Sequence, residues 1–240
     1  MFEEFRNKFI HVFITDDRWK RYLLTGLGRT LLVTFGALLI GVVIGVIVAM
    51  VRSTYDKQIE EMQPGFLKTM LRLSNRICKL YLTIIRGTPV VVQLLIAYFI
   101  IFVTSNNKMM VAIVTFGVNS GAYVAEIFRG GIMSIDKGQF EAGRSLGFNY
   151  VKTMRFIITP QAFKNVLPSL ANEFIVLLKE TSIAGYIGLE DLAKGGDIIR
   201  GRTFEAFLPL IAVALIYLAL VILFTWLAGK LERRLRSSDH

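Results

Sequence analysis

The sequence predicts an all-α membrane protein with about five transmembrane helices, its N-terminus outside and its C-terminus in the cytoplasm. Three observations lead to this fold class. Hydrophobic residues make up 54% of the 240 residues. They are concentrated in uncharged blocks of about the 20 residues that cross a hydrocarbon core roughly 30 Å thick as a helix. Lysine and arginine collect between these blocks, as membrane topology requires.

Three of the predicted spans contain an unbroken uncharged block, at residues 31–51, 87–107 and 206–229. The other two are less uniform. Residues 109–125 are uncharged, and the helix can continue past Glu126, whereas the remaining span carries Glu173, Lys179 and Glu180. The predicted boundaries of the five spans within this single domain, residues 1–240, are 25–51, 87–106, 109–132, 168–189 and 205–229.

The orientation follows from the basic residues between the spans. Residues 52–86 contain seven lysines and arginines against three acidic residues, and residues 129–164 contain six against two. Further basic residues follow residue 229. Because positive loops stay in the cytoplasm, five spans with an outside N-terminus place every basic segment inside. The net charge of +10 therefore requires no nucleic-acid partner.

Small residues recur along the first predicted span at intervals of four, at Ala37, Gly41, Gly45 and Ala49. Such a stripe lets two membrane helices approach closely. The partner helix could belong to this chain or to a second copy. Ahead of the span, residues 2–13 predict a short interfacial helix with Phe2, Phe5, Phe9 and Phe13 on one face.

Charged side chains inside a span are costly and usually face protein or a water-filled path. Lys179 and Glu180 either line such a path or form structural pairs. For Glu173 the sequence favours an ordinary charge at the cytoplasmic rim. The candidate substrate path comprises residues of the third and fourth predicted spans: Asn119, Tyr123, Glu126, Lys179, Glu180, Thr181 and Ser182.

A patterned cytoplasmic segment, residues 134–167, joins the third and fourth predicted spans. Asp136 is a residue type that caps helix N-termini, and Gly147 is one that ends helices in the left-handed conformation. A short helix is therefore predicted between them. A second short helix is predicted over residues 148–155, with Pro160 breaking the next. Such an exposed knob is suited to docking rather than catalysis.

Residues 141–147 read Glu-Ala-Gly-Arg-Ser-Leu-Gly, and residues 157–160 read Ile-Ile-Thr-Pro. This pattern resembles the EAA loop of ABC importer permeases: Glu-Ala-Ala, three residues, Gly, nine residues, then Ile-x-Leu-Pro. Two positions depart from it, since Gly143 replaces the second alanine and Thr159 replaces leucine. We expect Gly143 to loosen the helix by about 1 kcal/mol.

Other segments resemble the polar amino acid branch of that family, so the resemblance covers roughly residues 25–230. They are residues 85–89 (IRGTP), 122–131 (AYVAEIFRGG), 172–173 (NE) and 178–182 (LKETS).

The resemblance implies a dimer of permeases, identical or paralogous, in a prokaryotic cell membrane. A dimer of cytoplasmic ATPases would bind ATP and Mg, leaving no cofactor on this chain. An extracytoplasmic binding protein would deliver the amino acid. The residues that would couple to the ATPase are Glu141, Ala142, Gly143, Arg144 and Gly147, with Glu141 engaging a basic group.

The residues also restrict the alternatives. No Gly-x-x-x-x-Gly-Lys-Ser/Thr segment is present, so ATP hydrolysis must come from a partner. The only histidines, His11 and His240, lie outside the predicted spans, which disfavours an intramembrane enzyme or a histidine-based metal site. An ion-driven secondary transporter of small polar solutes is the alternative, although the halves show no repeat. Glu126 and Glu180 favour a cationic or amide substrate.

Overall fold

The structure is a computed structural model that describes residues 2–237, all of whose regular elements are helices. The α-helices, in chain order, are α1 (Phe2–Phe9), α2 (Thr25–Gln58), α3 (Phe66–Gly87), α4 (Val90–Ile96), α5 (Lys108–Met133), α6 (Lys137–Ser145), α7 (Tyr150–Thr153), α8 (Thr159–Glu180), α9 (Leu192–Thr203) and α10 (Phe207–Ser237). Several are extended by π-helical or 3₁₀ turns: Ile10–Ile14, Thr15–Asp17, Trp19–Leu24, Ala97–Ile101, Met154–Ile158 and Thr181–Ile187.

The chain packs as two compact units, each assembled from three separate segments. The first unit contains the chain up to Leu38, Pro89–Gly117 and Phe174–Trp226. The second contains Leu39–Thr88, Val118–Glu173 and the chain from Leu227 onwards.

The first unit has two apolar cores. One is centred on the fully buried side chains of Leu94, Phe116 and Leu177. The other packs the N-terminal segment against α9 and α10, and it includes Phe13. Of the predicted row of phenylalanines, Phe5 and Phe9 are exposed and Phe13 is buried, and the ring centres of Phe9 and Phe13 lie 5.0 Å apart. The side chain of Phe2 lies outside the described residues.

The second unit also has two cores. Val48, Leu82, Ala122 and Ala125 bring α2, α3 and α5 together. A separate core beside the segment between α5 and α8 consists of Ile132, Ile135, Ile158 and Ala162. The second core joins the end of α5 to the start of α8.

The small-residue stripe packs within the chain. In the second unit, a Cβ atom at Gly45 would lie 2.5 Å from Val124 Cγ1 and 2.9 Å from the Ala125 nitrogen. One at Gly41 would lie 3.1 Å from Ser120 Oγ. These glycines let α2 approach the backbone of α5, which is how small residues bring membrane helices together.

Three of the five predicted spans have a single helix as counterpart. Within residues 2–237, three helices are long and apolar enough to cross a membrane: Trp19–Gln58, Lys108–Met133 and Phe207–Leu235. They correspond to the predicted spans 25–51, 109–132 and 205–229.

The predicted span 87–106 contains one helical run, Val90–Ile101, which is separated from α3 by a break and is too short to qualify as a span by itself. α3 ends at Gly87, Thr88 is extended at φ −123° and ψ 145°, and a new helical run begins at Val90. Pro89 explains the break, because proline lacks the amide hydrogen and pushes the preceding residue out of the helical region. α3 and α4 taken together would make a fourth apolar span.

The helix at the predicted span 168–189 has different bounds from the prediction. α8 begins at Thr159, ends at Glu180 and continues as the 3₁₀ segment Thr181–Ile187. It is not among the described helices that are apolar enough to qualify as a span. Its polar first half and its charges at Glu173, Lys179 and Glu180 account for the difference.

Asp191, outside the predicted spans, caps α9. It is 1% exposed, and its carboxylate oxygens accept hydrogen bonds from the backbone nitrogens of Ala193 at 3.3 Å and Lys194 at 3.0 Å. Burial raises the pKa of Asp191 from 3.8 to about 6. The folded protein therefore holds this proton more tightly than the unfolded chain does. The cost of ionising Asp191 is absent below pH 3.8 and fully present above about pH 6.

We expect Gly45→Ala to lower the melting temperature of the detergent-solubilised protein by several degrees. The added Cβ has no room beside Val124, and overpacking typically costs about 1–3 kcal/mol. Gly28→Ala is the control, because a Cβ at Gly28 of the same helix meets nothing within 4 Å. Equal melting temperatures for the two variants would contradict the packing described here.

We expect Asp191→Asn to melt higher than the unmodified protein at pH 7.5 and to lose that advantage at pH 4. The amide retains a capping oxygen but does not ionise, which removes a cost of at most about 3 kcal/mol. Melting curves of both proteins across pH 4–8 test this. Two parallel curves would show that Asp191 does not titrate in this range.

Candidate functional site

The segment after α5 begins with the predicted short helix. Asp136 Oδ1 accepts a hydrogen bond from the Gly138 nitrogen at 2.7 Å, so Asp136 caps α6. The helix ends at Ser145, and Gly147 follows with a φ of +75°. The Phe148 nitrogen then donates to the Gly143 oxygen at 3.0 Å, which is a typical glycine-terminated helix end. The predicted cap, helix and left-handed glycine are confirmed.

The second helical part of the segment, which we call the second arm, consists of α7 and the π-helical turn Met154–Ile158. Its extent differs from the predicted short helix over residues 148–155. Asn149 caps α7 by accepting a hydrogen bond from the Lys152 nitrogen at 2.9 Å. The helical conformation then continues through a π-helical turn, Met154–Ile158, into α8. Pro160 lies in the first turn of α8 and does not break it, since local π-helical geometry is one way in which a helix accommodates proline. The second arm is therefore the start of a long helix.

Gly143 is the contact between the two arms. It is buried, and a Cβ there would lie 2.6 Å from Thr153 Cγ2 and 3.2 Å from Ile157 Cδ1. The departure from alanine at this position therefore has a packing reason. The expected loosening of α6 by Gly143 is offset by a closer approach of α6 to the second arm, which alanine would prevent.

The C-terminal end of α2 and the turn that follows it also contact α6. Lys57 Nζ lies 4.5 Å from the centre of the Phe140 ring, and Arg144 pairs with Glu61 at 3.5 Å. The Arg144–Glu61 pair is exposed on both sides, so it contributes little to stability. These residues border a groove of about 400 Å³ that Glu141 also lines.

Glu141 is exposed on the surface of α6. Within residues 2–237, no basic group lies within ion-pairing distance of its carboxylate. Leu146 and Val151, on either side of Gly147, are 69% and 70% exposed. We use the name knob surface for these three exposed residues of the segment, Glu141, Leu146 and Val151. The sequence reasoning missed the two apolar residues, although apolar side chains in a polar loop were the available signal.

Glu126, a candidate path residue, is surrounded by arginines. Its carboxylate lies 3.1 Å from Arg52, 4.0 Å from Arg86 and 3.3 Å from Arg129. Arg129 also pairs with Asp56 at 3.7 Å. Three cations and two anions therefore form one cluster with an excess positive charge, and Glu126 is not a free carboxylate that would attract a cationic substrate.

Two more path residues lie in the same unit. The guanidinium of Arg86 lies 5.6 Å from the centre of the Tyr123 ring, so Arg86 links Tyr123 to Glu126. Asn119 is buried, with 3% of its surface exposed. The neighbouring Ser120 donates a hydrogen bond to Glu173 Oε1 at 2.8 Å. Glu173 is only 9% exposed, so the expectation of an ordinary rim charge is wrong.

The other candidate path residues belong to the first unit, at the end of α8. Lys179 is exposed and Glu180 is half-buried. Thr181 is buried and donates to the Leu178 oxygen at 2.8 Å, which is a structural contact. Ser182 borders a shallow groove lined also by Tyr186, Lys194 and Asp197.

The chain is similar to known transport proteins. Residues 41–237 match the family described as "Binding-protein-dependent transport system inner membrane component". The Bacillus subtilis (strain 168) arginine transport system permease protein ArtQ is 36% identical over 221 residues, 91% of this chain and 94% of that protein. The Escherichia coli (strain K12) glutamine transport system permease protein GlnP is 37% identical over 177 residues, 72% and 81%.

Two solved structures share the fold. An amino acid ABC transporter crystallised with histidines has a TM-score of 0.79 and 38% identity, covering 92% of this chain and 98% of that one. The inward-facing MetNI methionine ABC transporter has a TM-score of 0.75 at 22% identity, covering 90% and 97%, and shows the fold alone.

These matches confirm the family resemblance inferred from residues 141–160. They also disfavour the ion-driven secondary transporter, because the relatives are permease proteins of binding-protein-dependent systems. The chain is thus a permease subunit of an ATP-driven transport system rather than an enzyme, and it belongs to the family of binding-protein-dependent transport system inner membrane components.

Proposed function

We propose that this chain is the membrane-spanning subunit of an importer for polar amino acids and that a partner ATPase drives it by docking on the knob surface. The observation that carries this proposal is the exposed Glu141 on a helix whose other side is packed through Gly143. The names of the relatives, which are permeases for arginine and glutamine, support the substrate class.

The mechanism follows from how the knob is attached. α6 contacts the second arm through Gly143, and the core of Ile132, Ile135, Ile158 and Ala162 lies beneath it. A Cβ at Gly131 would collide with Val166, so α5 and α8 also pack closely. A displacement of α6 would therefore be transmitted to both α5 and α8. Alternating access requires a rigid connection of this kind.

Docking would use complementary chemistry on the ATPase. Glu141 would pair with a basic group, and Leu146 and Val151 would be covered by an apolar groove, since buried apolar area supplies most association energy. Ala142, Gly143, Arg144 and Gly147 set the shape of the surface. ATP and Mg would be bound by the ATPase dimer alone.

The membrane arrangement belongs to the same proposal. The chain would cross five times as a single transmembrane domain, with the N-terminus outside and the C-terminus in the cytoplasm. The last turns of α3, after residue 79, and the helical run Val90–Ile101 would supply the second crossing, and α8 with its 3₁₀ extension the fourth. A second permease, identical or paralogous, would complete the path, and an extracytoplasmic binding protein would deliver the amino acid.

The substrate path remains a proposal, and its charge balance differs from the expectation. The arginine cluster has an excess positive charge, and Arg86 is 46% exposed beside Tyr123. This arrangement suits the carboxylate that every amino acid carries. In the first unit, Lys179, Glu180 and Ser182 stay candidate path residues in this proposal, whereas Thr181 has a structural hydrogen bond.

We expect Glu141→Lys to abolish co-purification of the ATPase in mild detergent and to reduce uptake into proteoliposomes more than tenfold. Glu141 is exposed, so the melting temperature should not change. Glu60→Lys is the matched control, because it reverses the same charge on an exposed loop residue. Normal ATPase recovery with Glu141→Lys would refute the assignment of Glu141.

We expect Lys179→Gln and Glu180→Gln each to raise the KM for uptake severalfold while leaving ATPase co-purification intact. Removing a charge that contacts the amino acid weakens binding without touching the knob surface. Lys20→Gln, at an exposed cation remote in sequence, serves as the control. A lowered melting temperature with unchanged KM would instead assign the pair a structural role.

A further inference from the structure

α3 presents three different faces. One is packed within the second unit by Asn75, Cys78, Tyr81, Leu82 and Ile85. Asn75 is 2% exposed, and the Tyr81 hydroxyl donates to the Val118 oxygen at 2.6 Å. The packed face lies in the C-terminal part of the helix. Residues 66–73 include no fully buried side chain, and only Lys68 and Leu71 among them are half-buried.

The second face is an exposed apolar stripe. Its members recur at alternating intervals of four and three, as one face of a helix does, and each is at least half exposed: Phe66, Met70, Leu73, Ile77, Leu80 and Ile84. Most of these side chains are 51–61% exposed, and Phe66 reaches 80%. A contiguous apolar surface of this length is normally covered by protein or membrane.

The third face is a basic stripe formed by Arg72, Arg76 and Lys79. All three are exposed, and α3 itself contains no aspartate or glutamate. Lys79 lies 6.0 Å from the centre of the Tyr55 ring. Among the residues that the structure describes, no carboxylate lies within ion-pairing distance of Arg72 or Arg76. Two exposed guanidinium groups are therefore available to an anion.

We propose that residues 66–79 of α3 lie in the membrane interface and that the basic stripe binds the headgroups of anionic phospholipids. A helix with one apolar and one strongly basic face lies in the plane of the interface, its apolar side chains between the acyl chains and its cations at phosphate level. Clusters of lysine and arginine on such helices select anionic lipid.

Charge decides between the possible occupants of this surface. Guanidinium groups bind phosphate oxygens through two parallel hydrogen bonds, so a phospholipid satisfies the basic stripe while its acyl chains cover the apolar one. A second copy of α3 would cover the apolar stripe but would bring another set of unpaired cations nearby. Full immersion of α3 in hydrocarbon is disfavoured too, because Arg72, Arg76 and Lys79 would each be costly there.

The test uses a fluorophore on the apolar stripe as a reporter of the adjacent lipid. The full chain, with Cys78→Ser and Leu73→Cys, is labelled at residue 73 and reconstituted with its ATPase in nanodiscs. Brominated phosphatidylglycerol or brominated phosphatidylcholine is added at the same low mole fraction. Each cation near an anionic surface contributes about fivefold, so we expect brominated phosphatidylglycerol to quench several times more strongly.

Arg72→Gln with Arg76→Gln should reduce the ratio of the two quenching efficiencies to about one. Lys20→Gln with Arg21→Gln removes the same charge from exposed residues of another segment and should leave the ratio unchanged. Raising the salt concentration to about 1 M, where the screening length is about 3 Å, should lower the ratio in the unmodified protein. Unchanged melting temperatures show that the variants fold.

Two results would overturn the proposal. Equal quenching by the two lipids in the unmodified protein would mean that the apolar stripe contacts bulk lipid without headgroup selection. Absence of quenching by either lipid would mean that protein, such as a second copy of the chain, covers the stripe. Neither result depends on the docking role of Glu141, which ATPase co-purification measures separately.

Discussion

The contact between Gly143 and Thr153 is the constraint on which the segment between α5 and α8 depends. Because α6 has no side chain at this point, its backbone approaches the second arm until the two helical segments touch. The exposed carboxylate of Glu141 then sits on a support that cannot shift independently of α8. Interiors packed at this density transmit displacement instead of absorbing it, which is what a coupling element between an ATPase and membrane helices needs.

The sequence predicts those parts of the fold that local chemistry determines. Asp136 caps its helix and Gly147 has a positive φ because neither property depends on distant residues. Long uncharged blocks likewise become α2, α5 and α10. The break at Pro89 falls at the start of the predicted span 87–106, but the helical run that follows, Val90–Ile101, is shorter than the uncharged block suggests. The role of Gly143 was unpredictable, because its reason lies in Thr153, ten residues away on another helix.

In the candidate path, too, local features are predictable from the sequence and contacts with distant residues are not. A charged residue in an apolar segment is easily found, but its partners are not. Glu126 pairs with Arg52 of α2, Arg86 of α3 and Arg129 of its own helix, α5. Glu173 of α8 accepts a hydrogen bond from Ser120 of α5. The net electrostatic effect of both carboxylates therefore depends on tertiary packing. Counting Glu126 as a free negative charge favoured a cationic substrate, and the cluster that surrounds it removes that argument.

Leu146 and Val151 have a consequence for the amount of permease a cell can keep. Until a partner covers them, these two side chains are apolar surface in water. Any protein that binds only the folded permease shifts its unfolding equilibrium by mass action. With the ATPase docked as proposed, the apparent stability of this subunit would rise with the concentration of the ATPase, so the supply of one subunit would affect the lifetime of the other.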